Sequence, residues 1–371
     1  MSAVLCGAFL LLAGLAAGQG LPPGCNPDSV GEQLAQLGLS LDENATWTGP
    51  VRRAEAQDVD FAFYEFGNAS GPTVVSINGF GTTMAEWGPI LPQLLAQDSR
   101  VFMFDNPGQG LSIDYSNKPL TIERMAAATV ALLDEAGING KGASKPVLLG
   151  WSMGGMVALS MAQQQTDKWS GLVLVDTAAG GPDMVYPDAA TVEALTCCNG
   201  TEANQVLFNY SSPSGLAGAC TFDVGAGWMS LALGEGYPNA TTSAAQAEAA
   251  YAFEQSNGTY TALPSITLPT LVVTGSDDLV IPPENAQTLA DRLPNAQLYE
   301  IPDAGHGAWA QDTAQFALRV QQFLSSPEGP AGPPAAPPPE ATPTRASAAL
   351  PACGGLSLAS AALVITMALL L

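Results

Sequence analysis

The sequence is poor in histidine and in basic side chains. Of its 371 residues, His306 is the only histidine, and 11 lysines and arginines stand against 34 aspartates and glutamates, for a net charge of −23. Nucleic-acid binding needs clustered basic side chains to neutralise phosphates, so we expect no nucleic-acid partner. Because the chain also lacks paired histidines and a phosphate-cradling glycine loop, the sequence implies no metal and no organic cofactor.

Charge is scarce as well, at 12% of residues, and it is missing from both ends of the chain. Val4 to Ala17 is an almost continuous apolar run followed by small residues, which is typical of a secretory signal peptide, so we assign residues 1–20 to one. A buried helix is the alternative. The uncharged run from Leu356 to Leu371 is short for a membrane span.

Small residues precede that terminal run, and no basic residues follow it. Together with the signal peptide, this pattern predicts a GPI-attachment signal over residues 352–371, with attachment at Ser347. A retained tail anchor is the alternative. Residues 327–351 are rich in proline and alanine, which predicts an extended stalk. We therefore expect a secreted protein held at the cell surface by a lipid.

Sequons and cysteines are consistent with secretion. Six asparagines begin N-x-S/T sequons and are predicted surface glycosylation sites: Asn44, Asn68, Asn199, Asn209, Asn239 and Asn257. Four cysteines remain between the terminal segments, which predicts disulfides in an oxidising compartment. A bond between the adjacent Cys197 and Cys198 would force strained geometry. We therefore expect each of them to pair with Cys25 or Cys220.

The middle of the chain alternates strand and helix patterns. Short apolar runs such as Thr73–Ile77 and Val147–Leu149 indicate strands buried on both faces, and helical patterns such as Ile122–Glu135 separate them. This alternation predicts an α/β fold, with a mostly parallel central sheet flanked by helices.

Residues 178–265 interrupt that alternation with sequons, cysteines and weak helical patterns. They contain eight acidic residues and neither lysine nor arginine. We interpret them as a cap inserted between two parts of a core, residues 21–177 and 266–326. A long irregular loop is the alternative, and it is uncommon at this length in a compact domain.

The chemistry is indicated first by the G-x-S-x-G motif from Gly150 to Gly154. A strand pattern leads into Gly150 and a helix pattern follows Gly155, so Ser152 is predicted on a sharp turn at a helix N terminus. A serine hydroxyl needs a base, and His306 can accept its proton.

A carboxylate must then orient the imidazole, and Asp277 and Asp278 compete for this role. Glu300 and Asp303 are further carboxylates near His306 in the sequence. An oxyanion needs two backbone N–H donors. We expect one from Met153, directly after the serine, and the other from Phe80, in the turn after the Thr73–Ile77 strand.

Five motifs, taken in order, resemble the α/β-hydrolase superfamily, in its serine-nucleophile branch with a cap insertion. They are Asn78-Gly79-Phe80-Gly81, Asp105 to Ser112, Gly150 to Gly155, Gly275 to Pro282, and Gly305-His306-Gly307. The resemblance covers residues 55–325 and implies an α/β-hydrolase fold. Family motifs of the form G-x-x-D-x-x-x-P place the acid at Asp278. Asn78 departs from the family, because many members have histidine there.

These observations predict a serine hydrolase that cleaves a carboxylic ester through an acyl-enzyme on Ser152. A surface ligand receptor of the same fold with slow turnover, and an acyltransferase or perhydrolase, are the alternatives. The expected substrate is a small molecule, neutral or cationic because the cap is acidic. Acidic side chains confined to a solvated outer face are the alternative to that charge preference. The sequence leaves the oligomeric state open.

Overall fold

The computed structural model describes residues 25–26, 28–39, 50–138, 145–196, 205–234 and 238–326. The predicted signal peptide, stalk and tail signal lie outside the described residues, and so do the following single residues: Asn44, Asn199, Cys197, Cys198 and Ser347.

A mostly parallel sheet crosses the described part of the chain. Its strands are β1 (Arg52–Ala56), β2 (Val59–Gly67), β3 (Thr73–Ile77), β4 (Arg100–Phe104), β5 (Ile113–Asp114), β6 (Val147–Trp151), β7 (Gly171–Val175), β8 (Thr270–Gly275) and β9 (Ala296–Ile301). Their spatial order is β1-β2-β4-β3-β6-β7-β8-β9, and β5 pairs with β2. The pairs that involve β2 are antiparallel, and the others are parallel.

Helices cover both faces of the sheet. They are α1 (Asp28–Gln36), α2 (Ile90–Ala96), α3 (Ile122–Glu135), α4 (Met153–Gln164), α5 (Ala189–Thr196), α6 (Pro213–Leu233), α7 (Ala240–Glu254), α8 (Gly258–Ala262), α9 (Glu284–Arg292), α10 (Ala308–Gln311) and α11 (Thr313–Ser325). The predicted α/β fold, with its parallel sheet and flanking helices, is confirmed.

The two hydrophobic layers follow from the alternation of side chains along each strand. Val75 and Leu148 point into the layer that contains α3, α4 and α9, whereas their neighbours Val74 and Leu149 point into the layer that contains α2 and α11. Every residue of β3, β6, β7 and β8 is buried. Strands covered on both faces therefore explain the unbroken apolar runs in the sequence.

The parallel order also determines where the motifs meet. The carboxyl ends of β3, β6, β7, β8 and β9 lie at one edge of the sheet. The motifs around Asn78, Ser152, Asp278 and His306 each follow one of these strands, so separate parts of the chain converge at this edge.

Between β7 and β8 the described residues form helices α5 to α8 and the short 3-10 helix Leu263–Ser265, without a strand. The described part of the segment predicted as a cap therefore contains helices and no strand, and its boundaries remain a prediction. Helix α6 is, by length and composition, the one described helix that could cross a membrane. Its Phe222 and Met229 are buried in the core, as is expected of a core helix in a globular protein.

The disulfide prediction was wrong about the partners. Cys25 bonds to Cys220, with a Cα–Cα distance of 5.3 Å and a sequence separation of 195 residues. Helix α1 packs against α6, and this contact places the segment before α1 beside the buried Cys220. The strain of a bond between adjacent cysteines can be inferred from the sequence, whereas the packing of α1 against α6 cannot.

Candidate active site

Ser152 occupies a strained turn between β6 and α4. Its backbone has φ 55° and ψ −123°, a conformation that non-glycine residues rarely adopt and that is typical of a nucleophile elbow. A Cβ on Gly150 would lie 2.3 Å from the Gly154 carbonyl oxygen, and a Cβ on Gly154 would lie 2.1 Å from the Ile77 carbonyl oxygen. Only glycine permits these approaches, and they hold the hydroxyl at the helix N terminus next to the loop after β3.

Ser152, His306 and Asp278 form one continuous chain of hydrogen bonds. His306 Nε2 lies 2.9 Å from Ser152 Oγ, and His306 Nδ1 lies 2.8 Å from Asp278 Oδ2. A carboxylate can only accept, so Nδ1 carries the proton that it donates to Asp278. Nε2 is then free to accept the hydroxyl proton of Ser152. His306 and Asp278 are 3% and 2% exposed, whereas Ser152 is only partly buried.

The structure separates the two competing aspartates. Asp278 Oδ1 accepts the backbone N–H groups of Val280 at 2.8 Å and Ile281 at 2.9 Å, so its carboxylate is fixed while Oδ2 faces the histidine. Asp277 Oδ2 instead accepts from Asn209 Nδ2 at 2.7 Å. The contact with His306 is therefore made by Asp278, as the family motif implied.

The other carboxylates near His306 in the sequence do not reach it. Glu300 and Asp303 are exposed, and within the described residues no hydrogen bond joins either carboxylate to the imidazole. Asp303 contributes backbone groups instead, because its N–H donates to Ser276 Oγ at 2.8 Å.

An aromatic cluster supports the histidine loop. Trp151 Nε1 donates to the His306 carbonyl oxygen at 2.9 Å, and the two rings lie 5.8 Å apart. Trp87, Trp309 and Phe222 pack around Trp151 with centroid distances of 5.9 to 6.4 Å. Trp151 and Trp309 are 6% and 3% exposed, so both are core residues that hold the loop in place.

The predicted oxyanion donors belong to two segments, Met153 directly after Ser152 and Phe80 in the loop after β3. A Cβ on Gly79 would be 3.5 Å from Ser152 Cβ, which puts the loop of residues 78–81 directly beside the serine. Neither the Phe80 N–H nor the Met153 N–H has an acceptor among the described residues, whereas the next N–H along, that of Gly81, donates to Gln246 Oε1. Phe80 and Met153 thus remain the predicted pair.

Asn78, which departs from the family pattern, takes part in the support of this loop. Its Nδ2 donates to the Phe104 carbonyl oxygen at 2.7 Å, and its Oδ1 accepts from Trp87 Nε1 at 2.6 Å. Asn106 Nδ2 donates to the Asn78 carbonyl oxygen at 3.2 Å. These bonds tie the loop after β3 to the loop after β4.

Two functional candidates were not identified from the sequence. Asp176 directly follows β7, and its carboxyl accepts from Gly275 N–H at 3.0 Å and Ala308 N–H at 3.3 Å, linking the loops of the acid and the histidine. Burial, and then the nearby Asp278 charge, raise the pKa of Asp176 well above its usual range. The available signal was a polar residue at the end of a buried strand. Gln246, on α7, is the second candidate.

Residues 207–212, before α6, form hydrogen bonds with the loop of residues 303–307, which contains His306. Gly307 N–H donates to the Leu207 carbonyl oxygen at 2.9 Å, and both Asn209 Nδ2 and Ser212 Oγ donate to the Asp303 carbonyl oxygen, at 3.2 Å and 3.1 Å. A segment between β7 and β8 thus contributes to the position of the loop that contains His306.

One of these hydrogen-bonding residues, Asn209, is also a predicted glycosylation site. Asn68, Asn239 and Asn257 are exposed, as a glycan requires. Asn209 is half-buried, and its Nδ2 donates to both Asp277 and Asp303. A glycan on Asn209 would replace one of these two amide hydrogens, so glycosylation and this pair of hydrogen bonds exclude each other.

Comparison with known proteins agrees with this geometry. A sequence model of the alpha/beta hydrolase fold matches residues 72–312. The putative carbamate hydrolase RutD of Stutzerimonas stutzeri is 30% identical over 256 residues, which cover 66% of this chain and 88% of that protein. Polyketide synthase ThaQ of Burkholderia thailandensis is 30% identical over 260 residues, or 68% of this chain but only 12% of the synthase.

Among solved structures, the esterase RhEst1 from a Rhodococcus species superposes with a TM-score of 0.61 at 23% identity, covering 75% of this chain and 99% of that one. At this identity the likeness shows the fold alone. The family match extends over most of the described core, and RutD is matched over most of its length. The chain therefore belongs to the alpha/beta hydrolase family and is a hydrolase.

Proposed function

We propose that this hydrolase cleaves carboxylic esters through an acyl-enzyme on Ser152. The main support for the proposal is the unbroken hydrogen-bond chain from Ser152 through His306 to Asp278. The loop that contains the predicted oxyanion donor Phe80 lies beside Ser152, and Met153 directly follows it. A base, an orienting carboxylate and two oxyanion donors are the groups that serine acyl transfer needs.

The geometry supports the following first half-reaction. As Ser152 Oγ bonds to the ester carbonyl carbon, its proton moves to His306 Nε2, and the carbonyl electron pair moves onto oxygen. The Phe80 and Met153 N–H groups stabilise that oxyanion, and Asp278 stabilises the imidazolium. When the oxyanion collapses, the bond to the alcohol breaks, and His306 returns the proton to the leaving alkoxide oxygen.

The second half-reaction repeats these steps with water. His306 takes a proton from water as the water oxygen attacks the acyl carbon. It then returns that proton to Ser152 Oγ as the carboxylic acid departs. Carbamates present the same kind of carbonyl carbon, and RutD is named as a putative carbamate hydrolase. Carbamate esters therefore belong in the substrate panel beside carboxylic esters.

The test is a panel of esters with varied acyl length, combined with fluorophosphonate labelling of the protein. We expect turnover and labelling by the wild type, and loss of both in Ser152→Ala, with turnover lower by about 10³-fold or more. Ser265→Ala, which changes an exposed serine on the 3-10 helix Leu263–Ser265, is the matched control. Wild-type hydrolysis by Ser152→Ala would refute the proposal.

The same experiment separates the alternative roles. A ligand receptor of this fold would bind esters without turnover, and an acyltransferase or perhydrolase would transfer the acyl group to an added alcohol or to peroxide. Either result would replace ester hydrolysis as the function of the Ser152 site.

We also propose a neutral or cationic substrate. Asp183, Asp188 and Glu248 of the segment between β7 and β8 are exposed, and they support an electronegative approach that slows anions. Matched neutral and carboxylate-bearing esters, compared by kcat/KM across a salt series, test this preference. Equal rates at low salt would reject it and favour a purely solvated acidic face.

Finally, we propose that the protein works in an oxidising compartment at the cell surface. The Cys25–Cys220 bond and the exposed sequons at Asn68, Asn239 and Asn257 support this location. We expect an endoglycosidase to shift the mass of the protein, and a phosphatidylinositol-specific phospholipase to release it from intact cells. Retention of residues 356–371 in the mature protein would contradict the lipid anchor.

A further inference from the structure

Helix α7 brings one fully buried polar side chain against the loop beside Ser152. Gln246 is 0% exposed, and its Oε1 accepts the backbone N–H of Gly81 at 2.9 Å. Gly81 directly follows Phe80, the predicted oxyanion donor. The contact joins residues 165 positions apart and links the helical segment between β7 and β8 to the loop after β3.

Neighbouring groups fix the orientation of the Gln246 amide. Asn239 N–H donates to Gln109 Oε1 at 2.7 Å, which turns Gln109 Nε2 toward Ser243 Oγ at 2.7 Å and Gln246 Oε1 at 3.1 Å. Two donors, Gln109 Nε2 and Gly81 N–H, therefore meet at one oxygen of Gln246. A flipped Gln246 would point its own NH₂ group at both of them.

This orientation leaves the other end of the amide without a partner. Gln246 Nε2 is buried and makes no hydrogen bond among the described residues. The side chain is thus oriented for its acceptor, and one donor of the amide stays unsatisfied. Buried unpaired donors are uncommon in folded proteins, and each of them calls for an explanation.

The Gly81 contact acts on the Phe80 N–H through two planar peptides. The Gly79 carbonyl oxygen accepts from Thr82 Oγ1 at 2.9 Å, and the Phe80 N–H lies on the opposite edge of that same peptide plane. Gln246 holds the next plane, which contains the Gly81 N–H. With both planes held, the Phe80 N–H cannot change its direction without breaking one of these two bonds.

We propose that Gln246 is a positioning residue for the oxyanion hole, so that the hole is complete only while α7 is docked against the loop of residues 78–81. The inference rests on the proposed acyl transfer at Ser152 and adds a residue outside the five segments that resemble the family motifs. Gln246 itself does not touch the reacting atoms. It acts by holding the peptide that presents the Phe80 N–H.

The test compares three variants of the full-length protein with an ester that the wild type hydrolyses. Gln246→Met removes the acceptor at similar volume, and Gln246→Glu keeps an oxygen that can accept from Gly81. Gln255→Met is the matched control, because Gln255 is exposed at the end of the same helix and contacts Tyr186 instead. Thermal unfolding shows that each variant is folded.

We expect Gln246→Met to lower kcat on the order of 10- to 100-fold, a part of the effect of deleting an oxyanion donor, with KM within about twofold. Gln246→Glu should recover most of kcat. An unchanged kcat in Gln246→Met, an equal loss in Gln255→Met, or a change in KM alone would overturn the inference. Failure of the proposed function is distinct, because it would show as activity that survives Ser152→Ala.

Discussion

The two adjacent aspartates allow a test at single-residue resolution. In Asp278→Asn the carboxylate oxygen that accepts from His306 Nδ1 at 2.8 Å is replaced by an amide that can present its own N–H. The imidazole then favours the tautomer with its proton on Nε2. In that tautomer Nε2 cannot accept the proton of Ser152, although the geometry is otherwise preserved.

The expected decrease in kcat follows from the loss of the general base. The same substitution in a serine protease triad lowers kcat about 10⁴-fold, because the wrong tautomer disables the base. We expect a similar loss for Asp278→Asn, which corresponds to about 5 kcal/mol of transition-state stabilisation. The two backbone bonds from Val280 and Ile281 can be kept by the amide oxygen, so the fold should survive.

Asp277→Asn is the matched control, because it makes the same chemical change one residue away. It weakens the hydrogen bond from Asn209 Nδ2 at 2.7 Å by removing the charge of the acceptor. We expect a stability loss of about 1 kcal/mol or less and a kcat within about threefold of wild type. Steady-state kinetics, with unfolding curves for both variants, measure the difference. A large loss in Asp277→Asn with a mild effect in Asp278→Asn would refute the assignment.

Three further predictions follow from buried or paired side chains. Burial raises the pKa of Glu86 from 4.5 to about 7, so between these pH values native Glu86 keeps its proton while the unfolded chain loses it. The free energy of unfolding therefore falls as the pH rises from about 4.5 to 7, and Glu86→Gln should remove about 3 kcal/mol of this fall. Urea unfolding at several pH values measures it, and an unchanged pH dependence in Glu86→Gln would contradict the prediction. Non-reducing peptide mapping should recover Cys25 linked to Cys220, and a bond from either to a third cysteine would contradict the structure. Glycopeptide mass spectrometry should find Asn209 unmodified on a protein glycosylated at its exposed sequons. A glycan on Asn209 would show that its two hydrogen bonds to Asp277 and Asp303 do not both form.

Local patterns were sufficient to predict the core. The apolar run Thr73–Ile77 is strand β3, and the helical pattern Ile122–Glu135 is helix α3 with the same bounds. Such segments are readable because their environment repeats along the chain, buried on both faces for a central strand and on one face for a helix. Strand β1 was missed, because Arg52 to Ala56 at the sheet edge has no apolar run.

The arrangement around the Ser152 site was predicted only where a motif marked it. Ser152 and His306 stand in recognisable motifs, and the spacing after Gly275 favoured Asp278. Gln246 lies in the alanine-rich helix α7, where no motif marks it. Its proposed role depends on a contact with Gly81, which is 165 positions away in the sequence. The Cys25–Cys220 pair depends in the same way on the packing of α1 against α6. Contacts between distant segments leave little trace in one sequence.

The most direct test of the account is the identification of the acylated residue during turnover. The protein is mixed with an activated aryl acetate, quenched with acid within the first turnovers, digested, and analysed by mass spectrometry. We expect an acetyl group on Ser152 in the wild type and none in Ser152→Ala. Hydrolysis that proceeds with unmodified Ser152 at every time point, or an acetyl group on another side chain that turns over at the steady-state rate, would contradict it.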